Sequence, residues 1–147
     1  MEFLTKSSDE TIALGKKIGA KLKPTDILGF YGELGSGKTT MIKGVAMGLG
    51  VSEGNLVKSP SFVMILEYKG RCPIYHIDLY RIKDAEELLS IGFDDYLYGD
   101  GVCLIEWAEK AEDYLPESVI KVELEVIDPE QRKVKISGLK SSILYER

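Results

Sequence analysis

Gly32-Glu33-Leu34-Gly35-Ser36-Gly37-Lys38-Thr39 fills the pattern G-x-x-x-x-G-K-[ST] without a gap, and a second threonine, Thr40, follows it. Residue type dictates the chemistry. Three glycines let the chain curl until successive backbone N–H groups point at one anion, and a helix starting near Lys38 aims its positive end at the same place. Lys38 then reaches the β- and γ-phosphates of a nucleotide, the Thr39 hydroxyl suits Mg²⁺, which prefers oxygen ligands, and Thr40 falls on the α-phosphate side. The flanks supply the context that the motif needs. Ile27 to Tyr31 is an apolar run suited to a buried parallel strand, and Thr40 to Leu49 is helical in composition. Strand, glycine loop and helix follow one another, so Gly32, Glu33, Leu34, Gly35, Ser36, Gly37, Lys38, Thr39 and Thr40 are the expected nucleotide-binding set.

The 147 residues are 44% hydrophobic, enough for one globular domain over 1–147 with a core of its own. A formal net charge of −5 repels nucleic acid, so contact with RNA is expected only locally or through a partner. The N-terminus lacks a signal peptide, and no apolar run approaches the roughly 20 residues of a membrane span, which implies a cytoplasmic protein without a membrane partner. Cys72 and Cys103 stand apart in apolar surroundings and read as reduced thiols. His76 is the only histidine, which excludes a His-rich metal cluster and leaves catalysis to carboxylates, hydroxyls, Lys38 and Mg²⁺.

Along the chain, Ser7 and Glu10 are spaced as a capping box for a helix running to about Lys23, ended by Pro24. The helix behind the glycine loop closes at Gly48 and Gly50. After a polar connection from Val51 to Lys58 and the stretch Ser59-Pro60-Ser61-Phe62, Val63 to Tyr68 reads as a strand. Lys69-Gly70-Arg71 turns it into Ile74 to Asp78 as an antiparallel hairpin. Asp84 caps a helix over 85–91 that Gly92 closes, and 94–101 reads as a loop. Val102 to Ile105 is a second buried run, Ala108 to Tyr114 a short helix, and Val119 to Ile127 and Arg132 to Ser137 an antiparallel pair across Asp128-Pro129-Glu130-Gln131. The expected fold class is α/β: a three-layer P-loop NTPase fold with a mixed, mainly parallel sheet and an antiparallel C-terminal hairpin.

Mg²⁺ held by one hydroxyl and phosphates alone is poorly fixed, so a carboxylate at a neighbouring strand end is required. Asp78 and Glu106 each close an apolar run. Glu106 is assigned the metal with Thr39 because its strand is the cleaner buried run, and Asp78 then positions water or reaches the metal through one. Lys38, Asp78 and Glu106 form the expected catalytic set. Glu33 is expected to point away from the phosphates, which an acid avoids. Arg81 is a candidate for neutralising transition-state charge, and Arg132 is a further arginine candidate at the nucleotide. Trp107 reads as a packing residue.

Together these residues resemble the TsaE (YjeE) family, small bacterial P-loop ATPases of tRNA threonylcarbamoyladenosine biosynthesis. The resemblance spans about residues 7–137 and rests on Gly32 to Thr40, Ser59-Pro60-Ser61-Phe62, His76-Ile77-Asp78-Leu79-Tyr80-Arg81, Leu104-Ile105-Glu106-Trp107 and Leu115-Pro116. It implies that Lys38, Thr39 and Thr40 bind ATP, that Thr39 and Glu106 ligate Mg²⁺, and that Asp78 is needed for hydrolysis. It also implies two partners, TsaD and TsaB, which transfer the threonylcarbamoyl group to adenosine 37 of tRNA. One departure is Ser61, where the family carries threonine; the hydroxyl is kept and a methyl is lost.

The rival is a small P-loop kinase phosphorylating a metabolite, which needs an arginine-rich lid. Between Tyr80 and Gly101 the chain offers Arg81 and Lys83 in an otherwise acidic stretch. A GTPase would carry an N-K-x-D-type guanine reader, and none is present.

Overall fold

The structure, a computed structural model, describes residues 1–56 and 65–139. The expectations for Ser59-Pro60-Ser61-Phe62, and for Val63 and Met64 as strand residues, lie outside the described residues.

Three apolar runs become the centre of the sheet: β2 (Ile27–Tyr31), β4 (Pro73–Asp78) and β5 (Val102–Glu106). With β1 (Glu2–Thr5), β3 (Ile65–Lys69), β6 (Ile120–Val126) and β7 (Arg132–Ser137) they form one seven-stranded sheet in the order β1-β7-β6-β2-β5-β4-β3. The pairings β6-β2, β2-β5 and β5-β4 are parallel; those of β1, β7 and β3 are antiparallel. The sheet is therefore mixed, with a parallel centre of four strands between antiparallel flanks, and the C-terminal hairpin is present.

Alternation along the strands sorts side chains into two cores. Leu28 and Phe30 of β2, Leu104 of β5 and Val122 of β6 face α1 (Ser8–Lys21) and α2 (Lys38–Gly48). Ile27, Ile77, Cys103 and Ile105 face the opposite layer, built from α3 (Ala85–Ser90), α4 (Phe93–Leu97) and a 3-10 segment, Ala108–Tyr114. Three layers result, as the apolar runs require.

The caps are where the sequence placed them. Ser7 accepts from the Glu10 N–H at 3.1 Å, although the Glu10 carboxylate reaches back to the N–H of Lys6 rather than of Ser7. Asp84 accepts from the Glu87 N–H at 2.8 Å. Three local expectations change. Residues 2–5, unassigned from sequence, form an edge strand on β7. The supposed loop after Gly92 begins with α4, because Phe93 and Leu97, four apart, bury on one side. Ala108–Tyr114 is 3-10 rather than α-helical and breaks at Ala111, with φ −120°.

Helices α1 and α2 meet backbone to backbone. A Cβ on Gly19 would lie 2.1 Å from the Val45 carbonyl oxygen, one on Gly44 2.3 Å from that of Ile12, and one on Gly48 2.3 Å from that of Lys16. Only hydrogen fits there. Arg71 closes the far end, its guanidinium donating to the carbonyls of Gly19, Leu22 and Gly48 at 2.8–2.9 Å, where the helix C-termini leave acceptors unpaired. This clamp fixes α2, and with it the glycine loop at its N-terminus.

Candidate functional site

Strand β2 ends at Tyr31 and α2 begins at Lys38, so Gly32 to Gly37 must reverse the chain within six residues. Gly37 makes the entry into α2 possible: it caps the helix with φ +100°, a conformation other residues rarely adopt. The Met41 N–H returns to the Gly37 carbonyl at 2.9 Å, while earlier N–H groups of the helix start are left for an anion. Leu34 to Thr40, Glu106 and Arg132 line a cavity of about 240 Å³. Glu33 and Leu34 themselves are exposed.

Lys38 is only 5% exposed. Its ammonium donates to the carbonyls of Gly32 and Glu33, the latter at 2.9 Å, and lies 3.9 Å from the centroid of the Trp107 ring. Burial pushes its pKa below the ordinary lysine value, against the pull of Glu106, Glu109 and Asp78. A buried cation over an indole gains on the order of 2 kcal/mol. Trp107 therefore does more than pack: its backbone is left-handed, φ 58°, and the turn brings the ring from the end of β5 against the lysine, where the Tyr80 ring meets it tilted by 49° with centroids 5.2 Å apart.

The two strand-end carboxylates arrive together because β4 and β5 are parallel and in register, Asp78 opposite Glu106. Glu106 accepts from the Thr39 hydroxyl at Oε1, 2.7 Å, and meets His76 Nε2 at Oε2, 2.6 Å. Burial alone raises the Glu106 carboxyl, but His76, Thr39 and Lys38 outweigh it and leave the group below the ordinary glutamate value. Asp78 accepts from the Tyr80 N–H at 2.9 Å. There burial wins, reinforced by the charge of Glu106, and the Asp78 carboxyl stays above its ordinary value.

The geometry thus gathers Lys38, Thr39, Asp78 and Glu106 at one end of the sheet. Arg132 lies at the loop's outer wall, its guanidinium donating to the carbonyls of Ser36 at 2.9 Å and Gly35 at 3.3 Å and also to those of Asp128 and Gln131. It ties the glycine loop to the β6–β7 turn while lining the cavity. Arg81 is exposed in the turn after Tyr80. Thr40 opens toward Ser8, Thr11 and Glu130. His76 was readable from sequence only as a lone histidine; period-two alternation, which puts it on the same face as Asp78, was the available signal. No sequence signal marks the left-handed turn at Trp107.

The donor set fits Mg²⁺. Thr39 Oγ1 gives its proton to Glu106 and keeps its lone pairs, and both groups are hard oxygen donors. Among the described residues no three His, Cys, Asp or Glu side chains converge as a self-sufficient cage, which suits an ion that keeps several waters and shares a substrate's phosphates. No helix of the described residues is long and apolar enough to cross a membrane.

Comparison with known proteins shows the family of the chain. Residues 5–134 match the family model of TsaE, the threonylcarbamoyl adenosine biosynthesis protein. The tRNA threonylcarbamoyladenosine biosynthesis protein TsaE of Bacillus subtilis is 39% identical over 95% of this chain and 86% of its own length. The protein of the same name from Treponema pallidum is 34% identical over 93% of this chain and all of its own. The crystal structure of Bacillus subtilis YdiB superposes with a TM-score of 0.79 at 35% identity, covering 97% of this chain and 88% of that one.

Proposed function

Because the chain belongs to the TsaE family, we propose that it is a Mg²⁺-dependent P-loop ATPase serving tRNA threonylcarbamoyladenosine formation. In this reading it acts on a TsaD–TsaB complex that carries the threonylcarbamoyl group to adenosine 37. The observation that supports it best is the hydrogen bond from Thr39 to Glu106, which joins the glycine loop to the neighbouring strand end across the cavity.

The chain's residues divide the work of hydrolysis. The loop N–H groups and Lys38 hold the β- and γ-phosphates, and the lysine's grip on Gly32 and Glu33 keeps its ammonium over the loop. Thr39 and Glu106 would hold Mg²⁺, which when bound supplies positive charge to the phosphate oxygens. Asp78, its carboxyl raised, orients water and accepts its proton as the water oxygen bonds to the γ-phosphorus and the bond to the β–γ bridging oxygen breaks. The products are ADP and inorganic phosphate. An arginine from a partner would then add on the order of 10³–10⁵ in rate.

Measuring ATP consumption by the purified protein alone, with metabolite acceptors, and with TsaD, TsaB and tRNA tests the proposal. Slow turnover alone and faster turnover with the partners is the expected result. A phosphorylated metabolite, or tens of turnovers per second unchanged by the partners, overturns it.

A further inference from the structure

We propose that His76 is the positioning residue of the metal site, holding the Glu106 carboxylate by Oε2 so that Oε1 is presented to Thr39 and the glycine loop. This rests on the Mg²⁺ reading of the site and adds the group that gives the metal ligand its direction.

The placement follows from strand geometry. In β4, His76 and Asp78 are two residues apart and share a face; across the parallel pairing His76 is opposite Leu104 and Asp78 opposite Glu106. His76 therefore meets Glu106 on the diagonal, a span that a ring can cover and a short side chain cannot. The contact is 2.6 Å.

Burial makes this contact decisive for Glu106. His76 is 2% exposed and Glu106 4%, so water does not compete. Among the described residues two side chains hold the carboxylate, Thr39 at Oε1 and His76 at Oε2. An ionised carboxylate only accepts, so Nε2 carries the proton of this bond. With Oε2 anchored to a ring packed in the sheet face, the carboxylate plane is set by β4, while Oε1 alone remains for the loop. Without the histidine, Thr39 is the one hydrogen-bonding side chain left on the carboxylate among the described residues, and the carboxylate plane is no longer set by β4. Outer partners that orient a metal ligand in this way are worth about 10–100-fold in metal affinity.

Four proteins decide the matter: wild type, His76→Leu, His76→Gln and His76→Asn. Urea midpoints establish that each is folded, and Mg²⁺ is titrated calorimetrically against the protein with saturating ADP, alongside ADP binding in EDTA. Glutamine carries an N–H about as far as Nε2, whereas asparagine falls one carbon short. The expected outcome is a Mg²⁺ midpoint raised about 10–100-fold in the Leu and Asn variants, near wild type in the Gln variant, with ADP binding in EDTA alike in all. If the Leu variant does not fold, the Gln and Asn pair gives the answer. Equal Mg²⁺ midpoints for Gln and Asn, or a folded Leu variant with the wild-type midpoint, overturn the inference while leaving the metal reading standing. A wild type whose ADP binding ignores Mg²⁺ overturns the metal reading and this inference with it.

Discussion

Asp78 and Glu106 face each other in register at the ends of two neighbouring parallel strands, yet their surroundings push the two carboxyls in opposite directions. Burial acts on both. Glu106 has His76, Thr39 and Lys38 to offset it, whereas Asp78 is compensated chiefly by one backbone N–H and also feels the charge of Glu106. In the proposed mechanism this split suits Glu106 to the role of ionised ligand and Asp78 to that of proton acceptor.

Removing each carboxylate should therefore give a different kinetic signature. Glu106→Gln is expected to raise the Mg²⁺ concentration needed for ATP binding. Asp78→Asn is expected to leave binding near wild type and to lower kcat by about 10²–10⁴. Mg²⁺ titrations and steady-state rates on both variants check this, and an Asp78 variant that loses metal dependence reverses the assignment.

The same split predicts opposite effects on stability. A lowered carboxyl stabilises the fold above its unfolded value of 4.5 and loses that contribution as pH falls through the folded value. A raised one costs stability above its folded value, and the cost vanishes below 3.8. At pH 7 Glu106→Gln should melt below wild type and Asp78→Asn above it. Both differences should shrink on acidification. Melting curves from pH 7 down to about pH 3 show whether the signs are as stated.

Lys38 holds the glycine loop from within and, in the proposed reading, the phosphates as well. Lys38→Ala takes a donor from the Gly32 and Glu33 carbonyls and a cation from Trp107, for a cost of about 1–3 kcal/mol. Mg-ATP at a hundred times its Kd should stabilise wild type by about 2.7 kcal/mol and this variant by nothing. Equal gains in Tm would show that the loop is not the nucleotide site.

The helix pair gives a prediction remote from the phosphates. Gly19→Ala forces a methyl onto the Val45 carbonyl and should cost about 1–3 kcal/mol or more. Gly54→Ala, with open space around it, should be neutral or stabilising by less than about 1 kcal/mol. Urea unfolding of the two variants makes the comparison, and a harmless Gly19→Ala contradicts the backbone contact.

The glycine loop was legible because its function depends on residue type at fixed spacing, and Asp78 and Glu106 because each ends an apolar run. Other parts were hidden for physical reasons. The four residues of β1 are too few to show alternation, and they become a strand only because β7 offers an edge. In α4 the acids and tyrosines suggest a loop, and the pair Phe93 and Leu97 outweighs them. The Trp107 turn depends on tertiary packing, where Lys38 and Tyr80 hold the ring against a strained backbone.

The contact between α1 and α2 has a mechanical meaning. Helices that touch through glycine carry no side-chain cushion between them, so a slide along the axis or a rotation would drive a Cβ into the opposing backbone. The phosphate loop is thus bolted to a rigid anvil on one side of the cavity. Asp78, Glu106, Tyr80 and Trp107 stand across from it on strand ends and the turns after them, tied to the anvil side by the Thr39–Glu106 hydrogen bond and by Lys38 against the Trp107 ring.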